Sequence, residues 1–152
     1  KLIMKKLFIV LILFFVGCGY EPIYLKSDQT FLEFNKITLI GDERINKRII
    51  GIAGLKENNL SNTQDELTLQ TDFIVKETSK NSKGQIETYR SIITIQLTIK
   101  NEEKIIKSKS FLNEFSYNNK TNKFELTQFQ NEIKNNLINK SSDEILLFLK
   151  LS

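Results

Sequence analysis

The chain of 152 residues contains no histidine and a single cysteine, Cys18. Catalytic triads that need an imidazole, and zinc sites built from His and Cys, are therefore excluded. The phosphate-binding patterns GxGxxG and GxxxxGK[ST] and the ligand spacing of an EF-hand are missing as well. Enzymes that use only carboxylates or lysines remain open, but no motif indicates one.

Proline is equally scarce, since Pro22 is the only one. Its ring fixes φ and favours extended geometry at the preceding residue, Glu21. We expect residues 18–34 to form a tether that lays Tyr20, Ile23 and Tyr24 against a surface. That surface is either the edge of the following domain or a partner.

Residues 18–152 carry almost no net charge. The whole chain carries a formal charge of +4, but residues 18–152 hold 19 basic and 18 acidic side chains. The composition therefore gives no argument for binding nucleic acid. Residues 76–123, with ten basic and five acidic side chains, form either a surface for an anionic partner or an ordinary solvated face.

The first 17 residues have the composition of an export signal. Lys5 and Lys6 precede the unbroken apolar run 7–16, which is too short to cross a bilayer, a task that takes ~20 apolar residues. Residues 15–18 (Phe-Val-Gly-Cys) resemble the lipobox of bacterial lipoproteins. We therefore predict a signal peptide at 1–17, cleaved before Cys18, whose thiol carries a diacylglycerol and N-acyl lipid. The alternatives are a short membrane anchor or an uncleaved signal in which the cysteine is incidental.

Alternating and helical periodicities then follow one another along the rest of the chain. Strands are predicted at residues 36–40, 67–76, 86–100 and 104–117, with turns at 80–85 and 101–102. A first helix begins after Asp42 and ends at Gly54, and its apolar face is formed by Ile45, Ile49, Ile52 and Ala53. From Phe124 onward, 3–4 spacing predicts one helix of ~25 residues, bent near Ser141, or two helices.

This order predicts an α+β two-layer sandwich over residues 35–152: a four-stranded mixed sheet, β-α-β-β-β-α, with both helices on one face. Residues 91–99 contain no charged side chain, although they form the centre of the longest predicted strand. A sheet face that is open to water usually carries some charge. We therefore expect the outer face of the sheet to be covered in the working protein.

Three segments resemble lipopolysaccharide-assembly lipoproteins of the LptE family. Residues 18–24 (Cys-Gly-Tyr-Glu-Pro-Ile-Tyr) are similar to the Cys-Gly-aromatic-x-Pro-Leu-Tyr start of that family. Residues 84–89 (Gly-Gln-Ile-Glu-Thr-Tyr) look like its central hairpin. Residues 116–118 (Ser-Tyr-Asn), ahead of a long C-terminal helix, fit it too.

The resemblance implies a non-enzymatic protein of the outer membrane, anchored on the periplasmic side and without a further cofactor. It would plug the β-barrel of an LptD partner, help that barrel assemble and contact lipopolysaccharide. Family contacts at the hairpin tip and in the loop before the last helix suggest Lys83, Lys120 and Lys123 as lipopolysaccharide contacts, with Arg90 as a further candidate. Gly19 after the cysteine resembles lipoproteins that are sent to the outer membrane.

Three other functions stay open at this point. An auxiliary lipoprotein of an ABC-type lipid transporter would share the anchor but associate with a permease. A glycosidase would need paired carboxylates, for example Glu102/Glu103 or Asp65/Glu66. Adjacent residues in a strand point to opposite faces, so neither pair is well placed. A lipoprotein with a purely structural role is the third.

Overall fold

The computed structural model describes residues 31–60 and 63–151. These residues form six strands and two helices. In chain order the elements are β1 (Leu32–Phe34), β2 (Lys36–Gly41), α1 (Glu43–Ala53), β3 (Leu55–Glu57), β4 (Asp65–Lys80), β5 (Ile86–Asn101), β6 (Lys104–Asn118) and α2 (Lys123–Lys150).

The main sheet has the strand order β2-β4-β5-β6. β2 pairs with β4 in parallel, and β4, β5 and β6 form an antiparallel meander. Both helices supply residues to the core on one face of this sheet. The predicted α+β architecture, with its four-stranded mixed sheet, is thereby confirmed. A separate parallel pair, β1 with β3, adds to it.

The core lies between the sheet and the helices and is built from alternate residues of β4 and β5. Leu67 and Leu69 on β4, and Ile93, Ile95 and Leu97 on β5, are fully buried. Burying one such side chain contributes roughly 1.5–3 kcal/mol, so this strict alternation determines which face of each strand turns inward. Apolar residues of α1 and α2 complete the cluster: Ile45, Ile49, Ala53, Ile133, Leu137, Ile138 and Ile145.

Helix α1 begins and ends at the predicted residues. The Asp42 carboxylate accepts hydrogen bonds from the backbone N–H groups of Arg44 (3.0 Å) and Ile45 (3.1 Å). The hydrogen bond from Ile45 and, to a smaller extent, the charge of Lys134 hold the pKa of Asp42 below its usual value. At the other end Gly54 adopts φ +65° and closes the helix.

The first strand of the fold lies inside the predicted tether. Residues 31–34 belong to the folded unit, and β1 carries Phe34 into the core. β1 thus lies before the predicted boundary at residue 35, and β3 lies between α1 and β4, where no strand is predicted. Two strands of three residues are too short to display a period, which is why the sequence does not reveal them. The rest of the predicted tether, residues 18–30, lies outside the described residues.

The inward face of α1 differs from the prediction at two positions. Ile52, predicted to be buried, is 41% exposed, whereas Asn46 is fully buried. The Asn46 side chain donates a hydrogen bond from Nδ2 to the Ile40 carbonyl at 2.9 Å, which links the helix to the end of β2. This local hydrogen bond makes an amide suitable at a position that polarity alone assigns to the surface.

Helix α2 is continuous over 28 residues and does not divide at Ser141. Ser141 and Ser142 are buried in the middle of the helix. The Ser141 hydroxyl accepts a hydrogen bond from Asn113 Nδ2 of β6 (3.0 Å), and the Ser142 hydroxyl donates to the Ile138 carbonyl (2.8 Å). Because both hydroxyls have partners, the serines neither open the helix nor require a new cap.

Candidate binding interface

The side of the sheet opposite the helices is the main candidate site. Side chains at even-numbered positions of β2, most of β4 and β5, and β6 from Ser108 onward point to this side, which we call the outer face. None of the outer-face side chains on β4 and β5 is buried, in contrast to their inward neighbours. Within the described chain, the outer face is therefore uncovered.

Two complete rows of uncharged side chains cross the outer face. The register aligns four hydroxyl residues across the four strands, Thr38, Thr68, Thr98 and Ser108. The next row consists of Ile40, Gln70, Gln96 and Ser110. The sequence pointed only to the uncharged centre of β5, because the contribution of β2, β4 and β6 depends on register.

Hydrogen bonds between strands hold part of these rows in place. Gln96 Nε2 donates to Ser108 Oγ at 2.8 Å, and the hydroxyls of Thr98 and Ser108 are 3.3 Å apart. Two exposed apolar side chains belong to the same surface: Ile40, in the second row, is 45% exposed, and Leu112, in the adjacent row on β6, is 62% exposed. Such a surface offers hydrogen-bonding groups and apolar contact to a neutral partner, and its side chains are partly immobilised before binding.

Charged residues border these rows. Lys36, Glu66 and Lys100 align at one end of the sheet, and Lys76 and Arg90 align towards the other end. On β4, Glu66 and Asp72 each lie two positions from the uncharged rows, one on either side, and Asp72 is opposite Thr94. A neutral centre with a charged border is the usual composition of a protein interface.

The lysines suggested by the family resemblance lie at one end of the sheet. Lys83 is exposed in the turn between β4 and β5, where Gly84 adopts φ +76°. Lys123 is the exposed first residue of α2, and Lys120 Nζ lies 4.5 Å from the centre of the Phe129 ring. None of the three forms an ion pair within the described residues.

A cleft of about 470 Å³ joins the hairpin to the loop that carries Lys120. Asn119 connects this loop to the start of β5 by two hydrogen bonds. Its backbone N–H donates to the Glu87 carbonyl (2.7 Å), and its Nδ2 donates to the Ile86 carbonyl (2.8 Å). Lys120 lines the cleft, while Lys83 and Lys123 do not. The structure therefore brings one of the three suggested lysines into a pocket.

Arg90 lies on the outer face and already has partners. Its guanidinium is 3.3 Å from the Glu114 carboxylate, and its Nε donates to Ser116 Oγ at 3.1 Å. An anion at this position would compete with Glu114, so Arg90 is the weakest of the four suggested lipopolysaccharide contacts.

The two carboxylate pairs considered for a glycosidase lie at the end of the sheet away from the β4–β5 turn. Glu102 and Glu103 are exposed in the tight turn between β5 and β6, where Glu102 has φ +53°. Asp65 accepts a hydrogen bond from Asn101 Nδ2 at 2.7 Å, and the adjacent Glu66 points to the opposite side of β4.

Two kinds of feature are missing from residues 31–60 and 63–151. No group of three or more Asp, Glu, His or Cys residues there is placed to hold a metal ion. Neither described helix combines the length and the apolar composition that crossing a membrane requires. The predicted lipid attachment site, Cys18, lies outside the described residues.

No protein-family model matches the sequence, and no curated protein matches it either. Solved structures do share the fold. Rare lipoprotein B from Shewanella oneidensis superposes with a TM-score of 0.59 at 12% identity, over 76% of this chain and 94% of that one. A minor lipoprotein from Acinetobacter baumannii gives 0.53 at 13% identity, over 75% and 87%.

A third structure, an uncharacterized lipoprotein B from Nitrosomonas europaea, gives a TM-score of 0.57 at 8% identity, over 76% of this chain and 80% of that one. In each case most of the solved chain is covered, so the match extends over a whole domain. This chain therefore has the fold seen in these bacterial lipoproteins.

Proposed function

We propose that this protein is a lipid-anchored lipoprotein of the outer membrane, attached through Cys18, whose outer face docks inside the β-barrel of an LptD-like partner. It acts without enzymatic chemistry, helps the barrel assemble and takes part in lipopolysaccharide insertion. The observation that carries the proposal is the pair of uncharged rows across all four strands. A lumen lined with neutral polar side chains complements them, and the charged ends of the sheet then remain in water.

Two further observations support the proposal. Solved structures with this fold are named as lipoproteins, and residues 15–18 resemble the lipobox that directs lipid onto a cysteine. Replacing Cys18 by Ala is expected to abolish incorporation of radiolabelled palmitate and to release the protein from the membrane fraction. Labelling that persists in this variant would overturn the anchor.

The docking surface is tested by placing a charge in an uncharged row. Gln96→Arg and Thr98→Arg each put a guanidinium in the proposed interface, where an unpaired buried charge costs several kcal/mol. We expect recovery of the barrel with the tagged lipoprotein to fall at least about tenfold. The controls are Gln128→Arg and Thr127→Arg, the same changes at exposed positions of α2.

The variants must first unfold at the same urea concentration as the parent protein. Equal recovery of the barrel with Gln96→Arg and Gln128→Arg would contradict docking through the outer face. Recovery of a permease in place of a barrel would indicate the lipid-transporter alternative.

Direct contact with lipopolysaccharide is assigned to Lys83, Lys120 and Lys123. The double variant Lys83→Glu/Lys123→Glu reverses two exposed charges at the hairpin end of the sheet, and Lys140→Glu is a control on α2. We expect the double variant to bind lipopolysaccharide more weakly at low salt, where exposed charges are least screened. Unchanged affinity at low salt would remove the assignment.

A further inference from the structure

A positively charged cleft lies between the two helices. It has a volume of about 300 Å³. Its lining consists of Arg44, Ile45, Arg48, Asn131, Lys134, Asn135 and Ile138. Three of these side chains are cations, two are amides and none is a carboxylate. The sequence does not point to this group, because its members come from segments nearly 90 residues apart.

Both carboxylates of α1 and its cap form ion pairs. Asp42 lies 3.4 Å from Nζ of Lys134, which is itself one of the three lining cations, and Glu43 lies 2.7 Å from Lys47 Nζ. Among residues 31–60 and 63–151, no carboxylate is close enough to form an ion pair with Arg44 or Arg48. Arg44 and Arg48 are therefore the two lining cations without an ion-pair partner in this part of the chain.

Arg48 is held in position across the cleft. Its Nη1 donates to Asn135 Oδ1, and its Nη2 donates to Asn139 Oδ1 at 3.4 Å. A guanidinium has five N–H donors, so further donors remain for a ligand. Arg44 lies one helical turn earlier, and side chains with this spacing are neighbours on a helix surface. Two forked donors thus project from one side of the cleft.

We propose that this cleft binds a phosphate monoester group, carried either by a lipid headgroup or by a soluble phosphate ester. Arginine pairs suit this group because each guanidinium donates two parallel hydrogen bonds to phosphate oxygens. Asn131 Nδ2 offers an additional donor at the exposed surface of α2. The cleft lies on the helical side of the fold, so the proposal is independent of docking through the outer face.

The first experiment titrates inorganic phosphate into the polypeptide 19–152, which contains every described residue. Backbone amide shifts are recorded by NMR, and sodium chloride at equal ionic strength is the control. We expect the largest shifts in α1 and in the part of α2 around Asn131 and Asn135. The double variant Arg44→Gln/Arg48→Gln should bind at least about tenfold more weakly. Lys140→Gln/Lys150→Gln removes the same net charge from exposed sites and should leave the affinity unchanged.

The second experiment identifies the source of the phosphate. Vesicles of phosphatidylcholine containing phosphatidic acid are compared with vesicles of phosphatidylcholine alone in a flotation assay. Flotation that requires both phosphatidic acid and the two arginines supports the lipid-headgroup form. Phosphate binding without flotation supports the soluble form.

Two results would overturn the site. One is the absence of arginine-dependent shifts with phosphate. The other is an equal response to sodium chloride.

Discussion

Among the glycines of the described chain, Gly41 is the one whose replacement by alanine is expected to lower the free energy of unfolding most. It ends β2 with φ +91° and pairs in register with Thr71 of β4. A Cβ atom added there would lie 1.9 Å from the Thr71 carbonyl oxygen. That oxygen belongs to the backbone of a central strand and has no rotamer through which to move away, so Gly41→Ala must shift β2 or β4.

Two contributions set the expected loss. An alanine at positive φ costs roughly 1–2 kcal/mol, and forcing an extra carbon into a closely packed site costs roughly 1–3 kcal/mol more. The sum, about 2–5 kcal/mol, is a large part of the 5–15 kcal/mol that stabilises a typical domain. Gly41→Ala should therefore lower the urea midpoint strongly or prevent folding.

Two other glycines separate these contributions. Gly84 has φ +76° but no atom within 4 Å of an added Cβ, so Gly84→Ala should cost about 1–2 kcal/mol from the backbone alone. Gly51 lies in α1 with open space around it, and Gly51→Ala should stabilise by up to about 1 kcal/mol.

Urea unfolding followed by circular dichroism compares the three variants, with an unchanged m-value as the condition for converting midpoints into free energies. The expected order of stability is Gly51→Ala, parent, Gly84→Ala, Gly41→Ala. If Gly41→Ala and Gly84→Ala lose the same amount, the close approach between β2 and β4 is refuted.

Two further predictions concern the α1 cap and the core. Asp42→Ala should cost about 1 kcal/mol through loss of the N-cap. Because the folded-state pKa of Asp42 is lowered, its charge stabilises above its unfolded pKa, and this contribution is lost as pH falls through the folded pKa. Asp42→Asn keeps the cap but has no charge to lose on acidification. Its free energy of unfolding in urea should therefore fall less than that of the parent below about pH 4. Equal decreases for the two proteins over this pH range would contradict the argument. Leu97 faces the core and its neighbour Thr98 faces outward. Leu97→Ala should therefore lower the free energy of unfolding by about 2–5 kcal/mol, and Thr98→Ala by less than about 0.5 kcal/mol. Equal losses of stability in thermal unfolding would contradict this assignment of faces.

The sheet was predictable because its side chains alternate over long strands. From Ser91 to Ile99 every second residue is buried, and a slip of one residue would expose that whole set. The ends of α1 were predictable for a different reason. Asp42 and Gly54 act on the backbone next to them, so their effect does not depend on the rest of the fold.

The exceptions depend on contacts between elements. Asn46 of α1 is buried where its Nδ2 donates to the Ile40 carbonyl at the end of β2, and Ser141 of α2 is buried where it meets Asn113 of β6. The periodicity of each helix on its own shows neither contact. The same holds for the two binding surfaces, since the uncharged rows depend on register between four strands and the positive cleft on the packing of two helices.

The two proposed surfaces occupy opposite layers of the fold, and this separates their functional effects. A partner on the outer face contacts β2, β4, β5 and β6, while a phosphate group in the cleft contacts only α1 and α2. Occupation of one surface therefore leaves the other accessible, and a barrel-bound protein could still hold a phosphate ester. Gln96→Arg should consequently leave phosphate binding unchanged, and Arg44→Gln/Arg48→Gln should leave barrel recovery unchanged. A variant that impairs both activities without loss of stability would mean that the two layers are coupled, in contradiction to this separation.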